Sequence, residues 1–187
     1  MRSRFHVAAL IVGCAMLLSA CSSHFGAGIA ELPASQGWQP LPIGSWVLNE
    51  GLEARSMVFC PRDACAKQGF ASVVAFAGRE AQRMEQALKA DPASLARLFS
   101  KPPADDGRGR KKARPKGPAK SITSVSRFEA EGMVGILVEI RAKDASGKSA
   151  ATAILHGREG NSLVVALAVA QDAEAARRDA VAAWRSR

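Results

Sequence analysis

Apolar positions in the C-terminal third recur first at a period of two and then at a helical period. Ile122 to Ala130 carries enough β-branched and aromatic residues for a strand, and Glu131-Gly132 forms a tight turn after it. Met133 to Ala142 follows, with Val134, Ile136, Val138 and Ile140 on one face. Leu137 falls on the other face beside Glu139 and Arg141, so that face is expected to be partly wet. Turn residues at Lys143-Asp144-Ala145-Ser146-Gly147 lead into a third strand, Ser149 to Gly157. Arg158-Glu159-Gly160-Asn161 turns the chain into a fourth, Ser162 to Ala170, with Leu163, Val165, Leu167 and Val169 facing one way and small residues the other. Four strands joined by short turns predict an antiparallel meander. The period then changes. Asp172 is placed to cap a final helix in which Ala173, Ala176, Ala180, Val181 and Trp184 share a stripe. Trp184 should pin that helix to the sheet, and Arg177, Arg178, Arg185 and Arg187 gather toward the end favoured by the helix dipole.

The first half is less regular. Gly37-Trp38-Gln39-Pro40-Leu41-Pro42 reads as an extended entry and Ser45 to Asn49 as a short strand. Arg55 to Cys60 and Gly69 to Ala77 predict a strand pair, and Arg79 to Ala90 an amphipathic helix with Ala81, Met84 and Leu88 on one side. Pro92 opens a second helix through Phe99, with Leu95, Leu98 and Phe99 inward, and Pro102-Pro103 stops it. No internal repeat interrupts this order.

The sum is an α+β domain: an antiparallel β-sheet, built from the four-strand C-terminal meander plus N-terminal strands, with helices packed on it and a terminal helix after the last strand. The Trp38-Gln39-Pro40-Leu41-Pro42 entry and the final strand-helix ending at Trp184 resemble the PsbP/DcrB-like α-β sandwich, over residues 37–187 by element order. The resemblance implies an exported or lipid-anchored accessory factor without catalysis, although a fold alone does not set function.

A different kind of apolar run lies at the N-terminus. Arg2 and Arg4 precede the apolar segment Val7 to Leu18, which is too short for a permanent membrane span and reads as a secretory signal peptide. It ends in Leu18-Ser19-Ala20-Cys21. These residues resemble the lipobox of bacterial lipoproteins, in which the cysteine sulfur takes a diacylglycerol, the chain is cut before it and the new amine is acylated. The resemblance implies residues 1–20 as a removed signal peptide, Cys21 as the lipidation site, and a membrane anchor strong enough to leave little soluble pool. In that family an aspartate after the cysteine retains a protein in the inner membrane; Ser22 here implies the outer membrane, facing the periplasm. Residues 21–37 are expected to be a flexible tether, and 38–187 a single domain with a disordered basic loop at 102–120.

Charge sharpens that division. The chain has 187 residues and a net charge of +9. Arg2 and Arg4 supply +2 and residues 101–120 supply +6, leaving +1 for everything else. The basicity is therefore local, in Arg108, Arg110, Lys111, Lys112, Arg114 and Lys116 and their neighbours, on a stretch too polar to form a core. Export argues against nucleic acid, and no aromatic is interleaved for stacking on bases. Anionic phospholipid, the phosphates of lipopolysaccharide or an acidic envelope protein fit better, at about 1 kcal/mol per basic residue near an anionic surface. A merely solvated insertion accounts for the same composition.

Few residues can carry chemistry. In an oxidising compartment Cys60 and Cys65, around Pro61 and Asp63, are expected to form a structural disulfide that closes a hairpin end. A redox pair more naturally takes Cys-x-x-Cys spacing, and a metal site needs ligands beyond His24 and His156. His156 near a strand end reads as structural. No serine sits in a Gly-x-Ser-x-Gly or Ser-x-x-Lys setting, and phosphate-binding glycine loops are absent. No metal or cofactor is therefore expected. The expectation is a non-catalytic, lipid-anchored accessory or interaction module. The alternatives are a small-ligand-binding lipoprotein using a cleft between sheet and helices, lined by Trp38, Trp46 or Trp184, and an enzyme of unassigned type.

Overall fold

The computed structural model describes residues 28–43, 51–91, 121–143 and 147–187. The expected signal peptide, the strand expected at Ser45 to Asn49, the helix expected from Pro92 to Phe99 and the basic segment lie outside the described residues.

Seven strands form one antiparallel sheet: β1 (Gln39–Pro40), β2 (Leu52–Cys60), β3 (Gly69–Phe76), β4 (Ser121–Ala130), β5 (Met133–Ala142), β6 (Ser149–Glu159) and β7 (Ser162–Ala170). Their spatial order is β1-β2-β3-β7-β6-β5-β4. Helix α1 (Gly78–Lys89) follows β3, and helix α2 (Ala173–Arg185) follows β7. This is an open, mixed α+β sheet with a terminal helix after the last strand. The last strand lies inside the sheet. β7 pairs with β6 on one side and with β3 on the other, where Phe70 to Phe76 oppose Val169 to Leu163.

Both faces of the sheet are covered at its centre, by different helices. Strand alternation sends Val164, Ala166, Ala168 and Ala170 of β7 to one side, with Ala71 and Val73 of β3 and Ala151, Ala153 and Leu155 of β6. These small side chains let α2 approach closely through Ala176, Ala180, Ala183 and Trp184. On the opposite side Leu163, Val165, Ile136, Val138 and Ile154 meet Ala81, Met84 and Leu88 of α1. Leu137 is 1% exposed. The partly wet face expected at that position is instead inside the α2-side core, because β5 is an interior strand next to β6. Of the four residues expected on one face of β5, Ile136 and Val138 are buried and Val134 and Ile140 are exposed.

Three aromatic rings are seated on strand glycines on the α2 side. Trp184 lies over Gly157, Trp38 over Gly69 and Phe128 over Gly135, so closely that a Cβ on each glycine would stand 3.0, 2.8 and 2.6 Å from the ring. The missing side chains are what admit the rings. These seats fix α2 and the N-terminal segment to the sheet.

Part of the stretch expected as a tether is folded. Ile29 and Leu32 are buried with Trp38 in the α2-side core, and Ala34–Gln36 form a 3₁₀ turn. Residues 29–37 therefore belong to the folded body rather than to a flexible tether: burial of Ile29, Leu32 and Trp38 outweighs the polarity of Glu31, Ser35 and Gln36. β1 continues this segment and pairs with the end of β2, Gln39 opposite Phe59.

Candidate functional site

Two places bring polar side chains together. The first surrounds α2. Asp172 caps the helix as its sequence position predicts, accepting a hydrogen bond from the Ala175 N–H at 2.8 Å and pairing with Lys67 at 2.9 Å. Both contacts favour the ionised carboxylate and hold it below its ordinary value. Two turns further, Asp179 is 3% exposed and pairs with Arg178 at 3.0 Å. Burial pushes its carboxyl upward, against the opposing pull of Arg178. Arg177 stacks 5.5 Å from the centre of the Phe128 ring. Arg185 bridges Glu31 at 3.2 Å and Glu131 at 2.6 Å, tying the N-terminal segment and the β4–β5 turn to the end of α2.

A groove of about 540 Å³ runs along these residues, bordered by Leu32, Trp38, Phe128, Arg177, Asp179 and Arg185. Trp38 and Phe128 border it together with the guanidinium groups of Arg177, Arg178 and Arg185 and the carboxylates of Glu31, Glu129 and Asp179, so a ligand there meets both signs of charge beside an apolar surface. An adjoining groove of about 510 Å³ reaches the disulfide and Lys67.

Cys60 and Cys65 are joined by that disulfide, with Cα atoms 5.8 Å apart, at the tip of the β2–β3 hairpin. The Gln36 carbonyl oxygen lies 3.6 Å from Cys65 Sγ. Gly37, at φ +91°, passes so close that a Cβ would stand 2.6 Å from both Ala64 O and Cys65 Sγ. The disulfide thus braces the surface on which the N-terminal segment docks. That contact is structural in character.

The second place lies under the C-terminal end of α1. Glu85 binds Lys89 at 2.8 Å and Arg158 Nε at 3.0 Å, and this pairing lowers its carboxyl to about 2. Arg127 Nη2 donates to the Ala90 carbonyl at 3.0 Å, among the last carbonyls of α1. His156 is half-buried beside this network. Burial first, then Arg127, pushes its imidazole below the ordinary value of 6.5, and Glu85 offsets part of that effect.

Chemically, Glu31, Glu85, Glu131, Asp172 and Asp179 are each paired with a lysine or arginine side chain. Among the described residues no group of three or more His, Cys, Asp and Glu side chains is placed to hold a metal ion. No helix among them is long and apolar enough to cross a membrane. Cys21, His24, Trp46 and the basic residues Arg108, Arg110, Lys111, Lys112, Arg114 and Lys116 lie outside the described residues. Of the expected tryptophans, Trp38 borders the groove, whereas Trp184 is occupied by Gly157 and by Arg187, 3.9 Å from its ring. Asp179 and Glu85 are the polar residues that sequence reasoning missed. Asp179 left a signal, since it falls among Ala176, Ala180 and Ala183 on the inward stripe of α2. Glu85 left none, because its partner Arg158 is remote in sequence. Compared with known proteins, the chain matches no family profile, no curated relative and no solved structure.

Proposed function

We propose that this protein is a non-catalytic, lipid-anchored envelope protein on the periplasmic side of the outer membrane, acting as an accessory or interaction module. The observation that carries the reading is the lipobox-like Leu18-Ser19-Ala20-Cys21 so close to the folded body. Among the described residues packing begins at Ile29, seven positions after Ser22. Seven residues span at most about 25 Å when extended, so such an anchor holds the sheet and α2 near the membrane surface. The basic residues Arg108, Arg110, Lys111, Lys112, Arg114 and Lys116 then contact anionic lipid, lipopolysaccharide or an acidic envelope protein. The PsbP/DcrB-like resemblance agrees with a finer topology of a C-terminal meander supporting helices. Cys21→Ser is the decisive test: the variant should leave the membrane fraction, and its retention there refutes the anchor. Deleting residues 107–118 should abolish salt-sensitive binding to anionic vesicles or lipopolysaccharide while leaving membrane anchoring intact. Equal binding by the deletion removes the basic loop from the function.

A second reading has one observation in its favour, the groove beside Trp38 and Phe128 with Arg177, Arg178 and Arg185 at its rim. In this reading Arg177, stacked on Phe128, meets the charged end of a small amphipathic anion, whose apolar part lies along Trp38 and away from Glu31, Glu129 and Asp179. Saturable quenching of tryptophan fluorescence by such a ligand, lost in Arg177→Ala, supports it; no saturable change refutes it.

A further inference from the structure

The two edges of the sheet are finished differently. At one edge β1 is two residues long and ends in Pro40, and the neighbouring β2 carries a register irregularity between Ala54 and Ser56. Short strands, proline and bulges are devices that blunt an edge against further pairing. The other edge has none of them. β4 runs unbroken from Ser121 to Ala130, in continuous register with β5, without proline, glycine or lysine. Among the described residues, no backbone hydrogen bond is made to its outer side. Ile122 on this strand is 58% exposed.

We infer that β4 is a strand-addition surface whose occupant is a second copy of the same chain, paired β4 to β4 in antiparallel fashion about a twofold axis at Val125. Self-complementarity of the strand selects both the occupant and the register. Two antiparallel edges joined in one sheet keep their faces, so opposing residues come from the same side. With Val125 opposite its own copy, the exposed Ile122 opposes Phe128, Ser124 opposes Ser126, Thr123 opposes Arg127 and Ser121 opposes Glu129. Val125 meets its own copy, hydroxyls meet hydroxyls, Ile122 packs beside the backbone and Cβ of Phe128, and no like charges face each other, which are the pairings that stabilise a sheet.

Neighbouring registers lose these matches. An axis at Ser126 puts Arg127 opposite Val125 and diagonal to its own copy, with Ile122 against Ala130. An axis at Ser124 puts Ile122 against the hydroxyl of Ser126 and Val125 against Thr123. The Val125 register extends the sheet through both copies and leaves both α2 helices on one side. This inference rests on the strand edge alone and not on the lipid anchor.

Cysteine cross-linking of the full-length chain in intact cells reads both pairing and register. Val125→Cys brings two sulfurs onto the axis, where opposed Cβ atoms are about 4.5–5.5 Å apart, within disulfide reach after small adjustment. Thr123→Cys leaves its copies separated by four residues along the strand, about 14 Å, and out of reach. With copper-phenanthroline as oxidant, Val125→Cys should give a non-reducing band at twice the monomer mass, at least tenfold stronger than Thr123→Cys. Adding Ser124→Lys and Ser126→Lys, both at exposed positions, places lysines opposite lysines twice and should abolish that band while the urea midpoint is unchanged. Their Ser124→Glu and Ser126→Glu counterparts, co-expressed with the lysine chain, should restore it. A monomeric Val125→Cys protein, an equal band from Thr123→Cys, or a cross-link only to a protein of another mass overturns the inference.

Discussion

Removing the indole of Trp184 should cost a large part of this fold's stability, in a way that depends on Gly157. The ring is 5% exposed and lies directly on Gly157. A tryptophan side chain buries about 150–250 Å², which at about 25 cal/mol per Å² amounts to about 4–6 kcal/mol as an upper bound. Large-to-small core substitutions of this type cost about 3–5 kcal/mol, so Trp184→Ala is expected to lose about 4 kcal/mol. With a urea m-value of about 2 kcal/mol per M, the unfolding midpoint falls by about 2 M. Gly157→Ala adds a Cβ 3.0 Å from Trp184 Cη2, tighter than normal contact, and should cost about 1–3 kcal/mol through displacement of the ring. In the Trp184→Ala background no ring opposes that Cβ. Gly157→Ala should then be neutral, or stabilising by about 0.5–1 kcal/mol from reduced chain entropy in the unfolded state. The double-mutant cycle by urea unfolding therefore carries a coupling of at least about 1 kcal/mol. A midpoint shift under 0.5 M for Trp184→Ala refutes the reasoning about α2 docking. An equal cost of Gly157→Ala in both backgrounds refutes the ring-on-glycine seat.

Gly37→Ala should lose about 2–3 kcal/mol, since a Cβ collides with Ala64 O and Cys65 Sγ at a positive φ, and limited proteolysis should then cut first within residues 28–37. Glu85→Gln should remove a pH-dependent stabilisation: the carboxyl is lowered from 4.5 to about 2, so the wild-type advantage is present above pH 4.5 and lost as pH falls toward 2. Equal urea midpoints for the two proteins across that range count against the Arg158–Glu85–Lys89 network. Asp179→Asn should act in the opposite sense. A carboxyl raised by burial makes the native state hold its proton longer than the unfolded chain, so wild-type stability falls as pH rises above 3.8. The midpoint difference should move in favour of Asp179→Asn through that window, and a difference independent of pH shows that burial of the charge is immaterial.

Local periodicity determined much of this molecule. The turns at Glu131-Gly132 and Gly160, the alternation in β5 to β7, the Asp172 cap and the inward Trp184 follow from residues adjacent in sequence, whose side-chain directions are set by the 2.0 and 3.6 periods. The readings of the basic segment and of Leu18-Ser19-Ala20-Cys21 rest on composition and order alone, since both lie outside the described residues. Tertiary structure decided what depends on remote partners. Leu137 faces a core because α2 covers that side of the sheet, and Ile29 and Leu32 belong to the body because they pack beside α2, far away in sequence. The insertion of β7 beside β3, the ion pair of Glu85 with Arg158, and the seating of Trp38 on Gly69 and Trp184 on Gly157 are likewise non-local. Period fixes where a side chain points relative to its own element. Only the closing of long chain segments onto one sheet sets what it meets there.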